Sequence, residues 1–393
     1  MNDIKTKADK ILMNTYGRFN ILFDHGKGAK LYDSYGKEYI DLSSGIAVDA
    51  LGHANKDIID AVTKQMSKLT HISNLFYSMP MIELADKLTT LFARRSKAFF
   101  CNSGAEANEA ALKLARYYSN QIKGNKNAYK ILSFKDSFHG RTMATLSITG
   151  QKKYQKGFTP LLKGVLFAEI NNISSVEKHL SERLAAIIIE PVQGESGVFP
   201  VKPAFLKYLR DVCTKYDIPL IFDEVQAGIG RTGTFFAFEQ TGVVPDVITL
   251  AKGLAGGLPI GATLAHGKFA DVFKPGTHAS TFGGNPVSCA AANVVVDKVS
   301  NKKFLSEVQR KGEKIKKFIR GLNSKYVKEI RGEGLLIGVS LKEVKNTDIV
   351  NRLLAKGTVP IAAGSNTLRI APPLIITDEE LDSALEKIRE VLL

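Results

Sequence analysis

The 393-residue chain is 44% hydrophobic and 24% charged, an ordinary globular balance and enough for two domains around a large core. Its net charge of +15 raises the question of a nucleic-acid partner, while its three cysteines, Cys101, Cys213 and Cys289, share no metal-ligand spacing. An odd cysteine count argues against a disulfide framework, so a reducing, cytoplasmic setting without a metal site is expected.

The opening MNDIKTKADK alternates charges without an apolar core, which predicts no signal peptide, and no apolar run approaches the ~20 residues a membrane span requires. Residues 1–60 read as basic helices, short strands and turns, the expected N-terminal part of a smaller domain. Between 61 and 300, short apolar runs alternate with helical patterns. The strands are expected at 98–100, 131–134, 185–189, 220–222 and 247–250, with helices over 106–118 and 204–216. Alternation of this kind predicts an α/β domain with a largely parallel sheet, whose ligands bind beyond the carboxyl ends of the strands. Residues 301–393 return to the texture of the first sixty and are expected to complete the small domain.

Between Asp297 and Arg331 there are twelve Lys or Arg and four Asp or Glu, over half the net charge. Leu305, Val308, Ile315, Phe318, Ile319 and Leu322 recur there at helical spacing, so the basic residues are expected on the wet face of an amphipathic helix. With no aromatic-basic RNA motif or zinc finger, the charge implies attraction for anionic metabolites and no nucleic-acid partner.

Residues 219–233, PLIFDEVQAGIGRTG, contain two apparent nucleotide motifs. An apolar strand closing on Asp223-Glu224 looks like a magnesium-holding strand, but the chain has no Gly-Lys followed by Ser or Thr to hold phosphates. The GxGxxG of Gly228–Gly233 opens no capped helix, so these glycines are expected to shape a loop.

The acid has another use. Twenty-nine residues on, in ITLAKG, Lys252 closes a second apolar run, where a lysine is unusual. Its stem could lie along the core with the amine in water. Alternatively, a lowered pKa would let it form a Schiff base with pyridoxal phosphate, opposite an acid facing the ring nitrogen. Ser103-Gly104-Ala105-Glu106 opens a helix after a short strand; it fits a capping box and leaves backbone N–H groups for a phosphate.

In that order these residues, within GIAVDALGH, NSGAEANEAALK, SFHGRT, EPVQGESG, FDEVQAGIGRTG, TLAKGLAGGLPIGA, STFGGNP and LRIAPPL, make the chain resemble the class III, or subgroup II, aminotransferases of fold type I. The resemblance runs from Tyr16 to about Pro373; one departure is Asn55-Lys56 after GHA, where the family commonly has His-Pro. It implies a pyridoxal 5'-phosphate enzyme with a mostly parallel seven-stranded sheet and a smaller α+β domain from both chain ends. Lys252 would bond the cofactor, Asp223 would face its ring nitrogen, Gln226 its phenolic oxygen, and Phe138 its ring face. Ser103, Gly104 and Ala105 would hold the phosphate, with Thr281 of a second subunit in a homodimer of shared sites. Glu224 and Val225 would complete the cofactor's surroundings, and Ser280 would lie beside the substrate.

Within the family the resemblance is to members that transfer the terminal amine of N2-acetylornithine to 2-oxoglutarate in arginine biosynthesis, with Gly45-Ile46 favouring the acetylated substrate. Two separated arginines suit these substrates, because arginine binds carboxylates bidentately. Arg141 would grip the distal carboxylate, and Arg369 the near one of the keto acid, with Glu195 pairing Arg369 when no near carboxylate is present. The alternatives are another ω-amine donor (ornithine, succinyldiaminopimelate or 4-aminobutyrate) or a non-catalytic binding protein on the same fold.

Overall fold

Runs with every side chain buried, Leu184–Ile189, Leu220–Asp223 and Val247–Leu250, form the centre of a seven-stranded sheet in the computed structural model, which describes residues 2–393. Strands covered on both faces read as continuous apolar sequence rather than alternation. The strand order is Ser96–Cys101, Gly261–His266, Val247–Leu250, Leu220–Asp223, Leu184–Ile189, Lys130–Phe134, Val165–Ala168. Gly261–His266 alone is antiparallel to its neighbours. All five expected strands lie in this sheet, joined by Val165–Ala168 at one edge and Gly261–His266 near the other.

Different helices cover the two faces. Ile187, Ile189, Leu220 and Phe222 share a core with Phe205, Leu206 and Leu209 of helix Pro203–Tyr216. The alternate residues Ile188 and Ile221 pack with Ala111, Leu112 and Leu114 of helix Gly104–Tyr117. The result is a layered α/β domain of fold type I.

The two ends of the chain meet in a second sheet. Phe23–Lys27, Lys30–Asp33 and Glu38–Asp41 are joined by Thr358–Val359, which runs parallel to Glu38–Asp41. An antiparallel sheet ordered Val327–Glu333, Leu336–Leu341, Thr367–Ile370, Ile361–Ala363 carries Arg369.

Helix Lys302–Gly321 follows the expected apolar spacing, but its basic residues do not all face water. Lys311 and Lys316 are buried, the first donating to the Ile376 carbonyl, the second to the Gly332 carbonyl and Glu313. Arg310 and Lys314 pair with Asp378. Part of the charge excess is thus engaged within the fold. The Gly228–Gly233 stretch forms successive turns, with Gly230 and Gly233 in the left-handed region. Arg231 is buried there, donating to the carbonyls of Leu335 and Pro372. Among the described residues no helix is long and apolar enough to cross a membrane.

Gly261 opens the strand that runs back beside Ser96–Cys101, and a Cβ there would lie 2.3 Å from the Ser103 carbonyl oxygen and 2.8 Å from the Cys101 sulfur. Gly261→Ala should therefore reduce stability by on the order of 1–3 kcal/mol, the usual cost of overpacking. Gly321→Ala, at a helix end with open space around it, should be neutral or slightly stabilising. Thermal unfolding of the two variants side by side checks the contrast.

Candidate active site

Parallel strands bring their carboxyl ends to one side of the sheet, and the residues just beyond them line a single cleft of about 400 Å³. Around it stand Ser103, Gly104, Ala105, Phe138, Arg141, Glu195, Asp223, Val225, Gln226 and Lys252. Asn108, His139 and Glu190, which the sequence reading does not single out, line it too.

Asp223 is 3% exposed, yet its carboxylate is well supplied with donors. Oδ2 accepts from Asn108 Nδ2 at 2.7 Å and pairs with His139 Nδ1 at 2.7 Å, while Oδ1 accepts from the Val225 N–H at 3.0 Å. An ionised carboxylate only accepts, so the proton of that histidine sits on Nδ1. Asn108 also accepts from Thr249 Oγ1 at 2.7 Å and donates to the His139 carbonyl at 2.9 Å. One asparagine therefore ties helix Gly104–Tyr117 to two strands and to the loop that carries Phe138. In the parallel ladder Asp223 stands opposite Thr249, three residues before Lys252, which places acid and amine at neighbouring strand tips.

Lys252 has φ of 42°, a left-handed conformation that costs a non-glycine residue on the order of 1 kcal/mol or more and is typical of functional sites. Burial pushes its ammonium down to about 8; the Arg369 guanidinium adds to this, and Glu195, Asp223 and Glu190 oppose it. Burial and the charge of Asp223 push Glu190 well above the usual carboxylate range, although its Oε2 accepts from the Phe138 N–H at 3.0 Å.

Ser103 caps helix Gly104–Tyr117, its Oγ accepting from the Glu106 N–H. Glu106 reaches back to the Asn102 N–H at 2.7 Å, one residue before the position a strict capping box uses. The N–H groups of Gly104 and Ala105 find no acceptor among the described residues, which leaves a helix start suited to an anion. A side chain at 104 is excluded, because its Cβ would lie 2.6 Å from Val225 Cγ1. Gly194 is equally constrained, its Cβ position only 1.7 Å from Gln226 Oε1.

The two arginines are held differently. Arg369, 2% exposed, reaches in from strand Thr367–Ile370 and donates through Nη1 to Glu195 Oε2 at 2.8 Å, the Gly194 carbonyl at 3.0 Å and Gln226 Oε1 at 3.3 Å. Arg141 is exposed, and no ion pair or hydrogen bond engages its guanidinium among the described residues. Just before the cleft-lining Val48, Ser44, Gly45, Ile46 and Ala47 have φ of 49°, 59°, 70° and 62°, a left-handed turn. Asp41 Oδ1 secures it by accepting from the N–H groups of Ser43 and Ser44 at 2.8 Å, and Ser44 Oγ donates to the Ala371 carbonyl at 2.7 Å.

Three expected residues are not brought into this cleft. Glu224 is fully buried and turned away, its carboxylate accepting from the N–H groups of Ala237 and Phe238, and burial pushes it up to about 8. Successive side chains at a strand end face opposite ways, so Asp223 and Glu224 cannot share a ligand. Ser280 and Thr281 line a neighbouring cavity with His71, Leu75 and His278, and Ser280 Oγ accepts from Asn102 Nδ2 at 3.3 Å. Of the residues missed, Asn108 has a readable signal, a polar residue one turn from Gly104 among Ala107, Ala110 and Ala111. His139 and Glu190 adjoin residues already in the quoted motifs but carry no separate pattern.

The folded pKa of Lys252 lies below its ordinary 10.5, so between about 8 and 10.5 the unfolded chain binds more protons and stability rises with pH. Below about 8 the full cost applies, and water in the open cleft softens it to on the order of 1–2 kcal/mol. Lys252→Met should therefore raise the unfolding midpoint of the ligand-free protein at pH 7, with the gain shrinking towards pH 10. Calorimetry across that range measures it.

Known proteins share the fold and much of the sequence of this chain. The chain is 48% identical over 381 residues to the acetylornithine aminotransferase of Aquifex aeolicus, covering 97% of this chain and 99% of that one. Among solved structures it resembles the N-acetylornithine aminotransferase of Stenotrophomonas maltophilia, with a TM-score of 0.85, 36% identity and coverage of 98% and 97%. The ornithine aminotransferase of Toxoplasma gondii superposes with a TM-score of 0.95 at 30% identity, covering 100% of this chain and 94% of that one. The family description "Aminotransferase class-III" matches residues 11–392, and the chain belongs to that family of pyridoxal phosphate-dependent aminotransferases.

Proposed function

We propose that the chain transfers the terminal amine of N2-acetyl-L-ornithine to 2-oxoglutarate, in a homodimer of shared sites in the cytoplasm. The observation that carries the substrate reading is the contrast between a bare guanidinium at Arg141 and a carboxylate-covered one at Arg369. Relatives named for acetylornithine support it across nearly the whole chain. The dimer reading rests on Thr281 lying outside the cleft beside exposed Leu75, Phe76, Tyr77 and Phe282. The three buried, unbonded cysteines support the compartment. Residues 1–60 and 301–393 are read as one small domain around 61–300, in keeping with the pairing of Thr358–Val359 with Glu38–Asp41.

The cleft fits pyridoxal phosphate on three counts: donor-backed Asp223, an amine of lowered pKa, and a helix start whose N–H groups lack acceptors. Bound there, the cofactor supplies an electron sink for negative charge developing on the substrate carbon. Asp223, backed by three donors, would face the ring nitrogen, and Phe138 would cover a ring face. The Ser103 hydroxyl and the N–H groups of Gly104 and Ala105 would hold the phosphate, and Gln226 the phenolic oxygen. Lys252 Nζ would accept the proton from the substrate carbon and pass it on to the cofactor, work suited to an amine near pKa 8. Arg141 binds the carboxylate far from the reacting carbon in both half-reactions. Arg369 stays covered by Glu195 for the ω-amine, since an uncovered buried guanidinium would be costly, and is released to the near carboxylate of the keto acid.

Lys252→Ala should abolish turnover and the borohydride-trappable chromophore of the reconstituted enzyme; retention of either contradicts the assignment. Acetylornithine should lead a panel of ornithine, succinyldiaminopimelate and 4-aminobutyrate assayed with 2-oxoglutarate. The resemblance to an ornithine aminotransferase structure makes ornithine the second reading, and a higher kcat/KM for it would select that reading. Glu195→Ala should leave Arg369 open at all times. It should weaken kcat/KM for the ω-amine by about tenfold or more while sparing 2-oxoglutarate, as a lost interaction of ~1.4 kcal/mol would.

A further inference from the structure

The bare guanidinium of Arg141 has a support that is neither a hydrogen bond nor an ion pair. Its Cζ lies 4.0 Å from the centroid of the Tyr154 ring and 5.6 Å from that of Phe138. Phe138 and Tyr154 meet edge to face, centroids 5.7 Å apart with planes at 80°. Three side chains thus form a closed contact triangle, and Tyr154 touches both of the others. The Lys153 ammonium is a second cation near the same ring, 4.7 Å from its centroid.

Tyr154 cannot drift from this place easily. It sits in the single helical turn Lys152–Gln155, and its N–H donates to the Gln151 carbonyl at 3.0 Å. On one side Gln151 Nε2 donates to the carbonyls of Asp136 and Ser137; on the other Gln155 Nε2 donates to those of Leu146 and Thr149. Gln151 therefore fastens the turn to the loop that carries Phe138, and Gln155 fastens it to the end of helix Met143–Ile148 that follows Arg141.

A ring lying beneath a guanidinium carbon attracts the cation without offering an acceptor atom to engage its five N–H donors. A carboxylate partner, such as Glu195 on Arg369, occupies donors and has to leave before a substrate carboxylate can bind. The two arrangements match two demands. The near carboxylate is present in only one half-reaction, so its arginine needs a removable cover. The distal carboxylate is present in both, so its arginine needs support that never competes.

Building on the role proposed above for Arg141, we propose that Tyr154 is a positioning residue for substrate recognition: its ring holds the Arg141 guanidinium over its face without a hydrogen-bond acceptor and leaves the donors for the carboxylate remote from the reacting carbon. The loss of such a contact raises dissociation constants by about 5- to 20-fold.

The test uses the holoenzyme and the variants Tyr154→Leu, Tyr154→Phe and Arg141→Ala. Tyr154→Leu should raise KM for acetylornithine and for 2-oxoglutarate by about 5- to 20-fold, with kcat within about threefold. It should weaken calorimetric binding of glutarate by the same factor and leave pyruvate, which lacks a distal carboxylate, unaffected as an acceptor. Tyr154→Phe, which keeps the ring, should stay within about twofold of the parent. In an Arg141→Ala background Tyr154→Leu should add nothing, since the two act as one unit. Unchanged KM and glutarate binding in Tyr154→Leu, equal damage from Tyr154→Phe, or an equal loss with pyruvate would each overturn the inference. If Arg141→Ala itself leaves KM for both substrates unchanged, the assignment of Arg141 fails; if it raises them while Tyr154→Leu does not, only the role of Tyr154 falls. Should Tyr154→Leu prove insoluble, Tyr154→Met carries the same expectations.

Discussion

A buried carboxylate that must be supplied with hydrogen-bond donors is the constraint around which this molecule is arranged. Taking Asp223 out of water strips its oxygens of hydration, which hydrogen bonds within the protein have to replace. The replacement comes from three places: a helix through Asn108, the loop after Lys130–Phe134 through His139, and its own chain through the Val225 N–H. Each donor requires its element to be in register, so the layers of the large domain are held by the same contacts that satisfy the acid. The Thr249–Asn108 bond extends this to the strand that delivers Lys252. Acid and amine are thus placed by one network spanning the sheet and its covering helix.

Charge in the cleft is balanced by opposing demands on the lysine. Burial and Arg369 favour its neutral form, whereas Asp223, Glu190 and Glu195 favour the ammonium. The outcome near 8 leaves an amine able to lose and regain a proton close to neutral pH, which general acid–base work requires. Its left-handed backbone holds the side chain in a conformation the surrounding packing must enforce, a cost usual at functional positions.

Much of this is legible in the sequence because charged residues closing apolar runs are conspicuous. Asp223 and Lys252 stand out in that way, as does the small-residue helix start at Ser103–Ala105. Legibility ends where meaning depends on direction. Glu224 belongs to the same string as Asp223 yet faces the opposite side, where it caps the turn at Ala237–Phe238. Lys311 and Lys316 sit in a basic run but reach carbonyls inside the fold, an outcome that spacing along one helix cannot reveal. Gly261–His266 escapes notice because glycine and histidine bracket its short apolar centre, and Val165–Ala168 because it is an edge strand of four residues. His139 and Tyr154 act only through partners distant in sequence or across a loop, and no local pattern marks them.

The left-handed turn at Ser44–Ala47 bears on how this scaffold can change. Four successive residues wind against the preference of L-amino acids, held by Asp41 and by the Ala371 carbonyl. A side chain introduced at Gly45 would not simply add bulk three residues before the cleft-lining Val48; it would compete with the handedness of the chain there. Selectivity beside Val48 therefore shifts in steps, by rerouting the main chain, and a protein engineer seeking new amines would do better to begin with the buried aspartate that sets the coil than with the residues that touch the ligand.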